Sequence, residues 1–206
     1  MTKEIRSIGG YDVLSSVRIG VYEIALCENT NAPEDEVFLC GYIENNGLFE
    51  RLNDCMVSAD YADIAACYGE RIKEKALEIQ KEIEKVKNNI GDDSELTSKD
   101  CLPVNDEDNL EYRVIVLRGD LLRPEFRRAS KQLFFCVGGF GAYANARGRA
   151  CFAHNLYDGY QIRCSREDIL GVMPRERLPE WAKQGLNTIM KKIAADRTVE
   201  GEQNVR

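Results

Sequence analysis

The 206-residue chain holds one histidine, one tryptophan and five prolines, and it contains no run of 18 apolar residues. Without such a run there is no candidate membrane helix, and no charged-then-apolar leader opens the chain, so the sequence reads as a cytoplasmic protein. The single histidine, His154, excludes a two-histidine ribonuclease and a histidine-rich zinc site. It leaves room for one general base, beside the plainer reading of a structural ring. Eight cysteines are present, but no two lie within two to four residues of each other, so the usual zinc-knuckle spacing is missing. Several sit inside apolar runs, where a free thiol behaves as a small hydrophobe. Reduced, buried thiols are expected, with no metal and no cofactor.

Charge is unevenly distributed. Residues 1–111 hold 11 basic and 25 acidic side chains, residues 112–185 hold 13 and 7, and residues 186–206 hold 4 and 3, within an overall net charge of −7. One reading is two solvated faces. The other is an acidic half that attracts a basic protein surface or mimics nucleic acid, joined to a basic half that contacts phosphates. Eleven of the 13 basic residues in 112–185 are arginine, the residue suited to bidentate phosphate contacts and to stacking on bases.

The apolar pattern predicts an α+β fold in two parts. Residues 1–90 read as an acidic β-rich unit. Strands are expected over Tyr11–Ile19, Val21–Cys27 and Val37–Ile43, with a short helix over Leu48–Asn53. A long helix follows from the caps at Ser58 and Asp60 to about Asn89. Within it Ile72, Ala76, Ile79, Ile83, Val86 and Ile90 repeat at heptad spacing, which suits either packing within the domain or a homodimer through the 60–90 helix. Residues 91–111 read as an acidic linker with few apolar groups, hence a mobile tether. Residues 112–196 read as a basic Gly/Arg-rich domain: a small antiparallel sheet or partly closed barrel with flanking helices, one of them over Leu121–Ser130 and the last from Leu178 onward. Residues 197–206 read as a polar tail.

The segment Lys131–Met173 concentrates the candidate chemistry. Gly138-Gly139-Phe140-Gly141 breaks an apolar run without the lysine or the strand-to-helix setting of a phosphate loop. It is either a tight turn needing positive φ or a place where backbone approaches a phosphate, with Arg147 and Arg149 beside it and Phe140 or Tyr143 available to stack on a base. Arg123, Arg127 and Arg128, on the expected helix, would support the same surface. Cys151 and His154, three apart on a strand, should face opposite ways, which argues against a nucleophilic pair between them.

The stretches LLRPEFRRASKQLFFCVGGFGAYANARGRACFAHNLYDG (121–159) and ILGVMPRERLPEWA (169–182), with YDVLSSVRIG (11–20) and DCMVSADYADI (54–64), resemble accessory proteins of conjugative and other mobile elements in Gram-positive bacteria. Such elements carry anti-defence proteins, including inhibitors of RNA-guided nucleases that occlude the effector or damage its guide RNA. The resemblance implies an anti-CRISPR protein whose partner is the effector nuclease or its guide RNA. Two other functions stay open: a nuclease cutting guide RNA around His154, and a structural accessory of conjugation.

Overall fold

The computed structural model describes residues 5–203, with side chains as far as residue 195. The chain divides into two compact units, Met1–Lys85 and Val86–Arg206, and each is built on a five-stranded sheet in which every pairing is antiparallel. The architecture is α+β, as the apolar pattern predicts.

The first unit is a meander of β1 (Ser7–Ile8), β2 (Tyr11–Ile19), β3 (Tyr22–Glu28), β4 (Phe38–Asn45) and β5 (Glu50–Ser58), paired in chain order. Both faces of β3 are covered, which is why Ile24-Ala25-Leu26-Cys27 is continuously apolar instead of alternating. One face gathers Ile8, Ala25, Cys27, Leu39 and Ile43. The other, Ile24, Leu26 and Cys40, is closed by α1 (Tyr61–Ile90) through Ile64, Cys67, Tyr68 and Ile72. Asp60 begins this helix by accepting the Ala62 N–H at 2.7 Å. Of the heptad positions only Ile72 joins a core cluster among the described residues; the others are half-buried.

The helix expected over Leu48–Asn53 is a hairpin turn and the start of β5 instead. Asn45 Oδ1 accepts the Gly47 N–H at 2.7 Å, and Asn46 Oδ1 accepts those of Leu48 and Phe49 at 3.0 Å. Gly47 sits at φ 83°. Two Asx turns in succession consume the amides that a first helical turn would have left for capping.

The second unit orders its strands β10-β6-β7-β8-β9: β6 (Val114–Leu117), β7 (Leu133–Gly138), β8 (Ala150–Asn155), β9 (Gln161–Ser165) and β10 (Ile169–Val172). One face buries Leu110, Ile115, Phe134, Cys136, Cys151 and Ala153. On the opposite face Val114, Val116, Leu133 and Phe135 lie under Ala182, Leu186 and Ile189 of α3 (Glu180–Gln203). The backbone of α3 is helical to Gln203, so most of the expected tail continues the helix, and residues 204–206 lie outside the described residues. The helix expected over Leu121–Ser130 is two 3-10 turns, Gly119–Leu121 and Pro124–Phe126, followed by the four-residue α2 (Ala129–Gln132). Pro124 holds Arg123 extended at ψ 149° and interrupts any helix there.

Residues 91–111, expected as a tether, belong to this unit and carry buried groups: Asp93 at 5 %, Cys101 at 6 % and Leu110 at 0 % exposure. Leu102 exchanges both backbone hydrogen bonds with Val172, at 2.8 and 2.9 Å, and so extends the β10 edge. The Asp93 carboxylate accepts the Ser130 N–H at 2.6 Å and its hydroxyl at 2.8 Å. Buried Gln132 donates to the Leu96 and Leu117 carbonyls and accepts the Leu96 N–H. Composition misleads because many of the carboxylates are turn-formers: Asp92 holds Ser94, Asp100 holds Thr97 and Asp108 holds Asn105.

Candidate functional site

The glycine-rich loop joins β7 to β8. Gly139 sits at φ 111°, and a Cβ there would stand 2.4 Å from the Ala150 carbonyl oxygen; a Cβ on Gly141 would stand 2.2 Å from that of Arg149. The Gly141 N–H donates to Ala150 O at 2.8 Å and the Ala142 N–H to Gly139 O at 3.0 Å. These glycines therefore let the loop fold on itself, and these two amides are spent inside it, which favours the tight-turn reading over a phosphate cradle. Gly138, at φ 146°, pairs with Phe152 across a register shift.

What the loop offers outward is side chains. Phe140 is 80 % exposed and Tyr143 47 %. Arg147 is exposed and makes no ion pair among the described residues. Arg149 reaches Glu167 at 3.2 Å with both groups open to solvent, a contact of small energetic weight. The cation that organises the loop is Arg166, which sequence reasoning missed. Its guanidinium donates to the carbonyls of Gly141 at 2.7 Å, Asn105 at 2.7 Å and Asp108 at 2.8 Å, with longer contacts to Tyr143 and Asp106. Five donors in a rigid fork suit this task, and nothing local in the sequence announces it.

Arg123, Arg127 and Arg128 are not part of that surface. They lie in the connection from β6 to β7, and the loop leaves the far end of β7, so the six residues of that strand, about 17 Å, separate the two groups. Arg127 donates to Leu122 O at 3.2 Å and Arg128 to Glu125 O. Arg123 Nη1 and Arg128 Nε are buried without a partner. Arg127 and Arg128 are thus engaged with carbonyls of their own turn.

His154 and Cys151 do face opposite ways: β8 alternates, with Cys151, Ala153 and Asn155 buried and Phe152 and His154 turned outward. The His154 Nδ1 lies 3.4 Å from the Gly159 carbonyl. Cys136, Cys151 and Cys164 gather behind the sheet with the apolar core; burial pushes the Cys164 thiol up to about 11, whereas a hydrogen bond with Cys136 lowers the Cys151 thiol, which is itself fully buried and so closed to a substrate. Among the described residues no group of three His, Cys, Asp or Glu side chains is arranged to hold a metal ion.

The outward face of β8 and β9 is the part of this sheet that α3 leaves open. Phe152, 47 % exposed, stands directly opposite Arg163, and His154 opposite Gln161. These four, with Val137 and Ile162, line a depression of about 260 Å³. Its rim adjoins the glycine loop, since a Cβ on Gly139 would stand 3.1 Å from the Phe152 ring. Phe152, Gln161 and Arg163 were not singled out from sequence. The signal was available, because the Asp158-Gly159 turn fixes the register that sets Phe152 against Arg163. This sheet face thus presents an exposed aromatic, an arginine with no ion pair among the described residues, a histidine and an amide together. No protein family, curated protein or solved structure matches the chain.

Proposed function

We propose that this is an anti-defence protein of a mobile element, an anti-CRISPR inhibitor that acts by binding an RNA-guided nuclease effector or its guide RNA in the cytoplasm. The observation that supports this reading is the open β8–β9 face of the second unit, where the exposed Phe152 stands opposite Arg163; the exposed Arg147 and Arg149 line a separate depression with Arg166 and Glu167. The resemblance of residues 121–159 and 169–182 to mobile-element proteins supplies the biological setting. Binding, not cleavage, is favoured because no carboxylate, thiol or second imidazole stands beside His154 among the residues lining its depression.

The test is a plasmid-protection assay against an RNA-guided nuclease, paired with labelled guide RNA analysed for cleavage. Protection with intact RNA is expected. Arg147→Ala with Arg149→Ala should lower protection while leaving the melting temperature nearly unchanged, since exposed substitutions move stability by only about 0.5 kcal/mol. RNA fragments that vanish with His154→Ala would establish the nuclease instead. We propose further that the half-buried positions Ile79, Ile83, Val86 and Ile90 of α1 pair two copies of the chain. Sedimentation of wild type against Ile79→Asp with Ile83→Asp decides this, and a wild-type monomer at high concentration rejects it.

A further inference from the structure

From the geometry of the open sheet face we infer the chemical class of its ligand: single-stranded RNA, with one unpaired base laid on the Phe152 ring and the adjoining phosphate held by Arg163. This rests on the reading that the β8–β9 face is the binding surface, and it narrows the two possible partners to one.

Three observations carry it. First, Phe152 is a large aromatic left 47 % exposed in the middle of a sheet, and its cross-strand neighbour is Arg163, with no ion pair among the described residues. An aromatic face beside a free guanidinium matches a nucleotide, which presents a flat base and an anion a few ångströms apart. Second, the groups lining the depression include Arg163, His154 and Gln161 and no carboxylate. The electrostatic match is therefore to an anion, and the imidazole and amide can pair with base edges or a 2′-hydroxyl. Third, the depression is shallow, about 260 Å³, below the range of about 300–1,000 Å³ typical of enclosed small-molecule sites, and Gly139, whose Cβ would stand 3.1 Å from the Phe152 ring, is followed in the chain by the exposed Phe140. An open platform with a second ring on the adjoining loop suits a strand. A duplex keeps its base faces inside its own stack and has none to offer.

The experiment uses the full chain and fluorescence anisotropy with a labelled 12-nucleotide RNA, its blunt duplex, and DNA of the same sequence. Wild type should bind the single-stranded RNA well ahead of the duplex and ahead of the DNA. Phe152→Ala should weaken binding roughly 10- to 100-fold, from the usual worth of one base stacked on an aromatic ring, and Phe152→Tyr should restore it. Arg163→Ala should lower the salt dependence by about 0.7 in log–log slope, the value for one phosphate of a single strand. Circular dichroism of each variant checks the fold, and the tyrosine variant separates loss of stacking from loss of structure. Equal affinity for duplex or DNA, or an unchanged Phe152→Ala, overturns the inference. Plasmid protection that needs Phe152 while wild type binds no RNA also overturns it, because the occupant is then a protein surface and the anti-defence reading survives. RNA binding as described without protection upholds the inference and removes the anti-defence reading.

Discussion

The two sheets have the same strand number and pairing sense, yet they spend their charged side chains differently. In the first unit charge meets charge. Arg6 bridges Glu23 at 2.5 Å and Glu50 at 2.6 Å, Arg18 adds a second contact to Glu23, and Arg51 pairs with Glu44. In the second unit the interior polar groups reach backbone: Arg166 to five carbonyls, Asp93 to the Ser130 amide, Gln132 to Leu96 and Leu117, and Asp168 to the Ser165 amide. Ion pairs fasten strands that already pair through their ladders. Side-chain-to-backbone bonds do something ladders cannot, because they satisfy the amides and carbonyls of irregular segments that would otherwise stay solvated. That is how residues 91–111 fold despite a composition that reads as a tether. It also changes the electrostatics. Residues 1–85 hold 9 basic and 17 acidic groups, a net of −8, and residues 86–206 hold 19 and 18, a net of +1. The second unit is nearly neutral as a whole, so any attraction to an anion comes from a local face.

The largest test of this contrast is Arg166→Ala. Removing the fork leaves carbonyls of the loop and of residues 105–108 without their donor, a loss of about 2–4 kcal/mol for a network of this kind. Urea unfolding followed by Trp181 fluorescence reads it cleanly, because the lone tryptophan packs beside Tyr157 in the second unit. Arg166→Lys should recover little, since an ammonium cannot span the same carbonyls. Limited proteolysis should leave residues 91–111 uncut in wild type and open them in Arg166→Ala. Cutting there in wild type would reinstate the tether. Asp93→Ala comes next, at about 1–3 kcal/mol, because the fully buried Ser130 loses its partner for both amide and hydroxyl.

The same contrast sets how far the sequence could be read. Strands β2, β3 and β4 and the small antiparallel sheet of the second unit were legible from apolar runs and from turn residues such as Asp158-Gly159, and the α1 start from Ser58 and Asp60, because these signals act over a few residues; β1 and β5 were not. Three further features were not legible. The Asn45-Asn46-Gly47 turn competed with a helical pattern over Leu48–Asn53 and won through side-chain acceptors. The arginines 123, 127 and 128 looked like one surface with 147 and 149, and only strand direction shows that they lie at opposite ends of β7. Arg166, 58 to 61 positions away from the linker carbonyls it holds, is a long-range contact that no local pattern encodes. The open β8–β9 face lies between these extremes: its register was readable, but that α3 stops short of it was not.

A smaller effect is expected in the first unit, and it depends on pH. Burial alone would raise the Glu23 carboxyl, but hydrogen bonds from Arg6 and Arg18 outweigh it and hold the group below the ordinary glutamate range; Arg6 lowers Glu50 likewise. A carboxyl lowered in the folded state contributes stability above its unfolded value, about 4.3, and loses it as pH falls through the folded value. Far-UV circular dichroism, which reports both units, should therefore show the first unit weakening below roughly pH 4. Arg6→Ala should cost about 1–2 kcal/mol at pH 7 and flatten that acid dependence, while the Trp181 signal of the second unit stays unchanged. An acid profile that Arg6→Ala leaves unaltered would show that Glu23 does not depend on this network.

The smallest effect leaves stability untouched and compares the two units thiol by thiol. All eight cysteines are free; Cys27, Cys40, Cys101, Cys136 and Cys151 are buried, Cys67 and Cys164 are intermediate, and Cys55 is exposed. Cys55 stands where the β4–β5 register slips, so Asp54 and Cys55 have no paired partner between Asn53 and Met56. Even there burial of the thiol raises its pKa, so its reaction is limited by ionisation as well as access. Burial pushes Cys27 to about 11 and Cys40 to about 12, which leaves almost no thiolate at neutral pH. With an aromatic disulfide reagent at pH 8, the native protein should therefore label first at one site in the unit of residues 1–85, more slowly at Cys67 and Cys164, and at the other five only through unfolding. The rate at those five reports local opening, so Arg166→Ala should speed Cys136 and Cys151 and leave Cys27 and Cys40 as they were. Uniform acceleration of all five would mean that the two sheets open together, and the contrast between their ways of spending charge would have no counterpart in their stability.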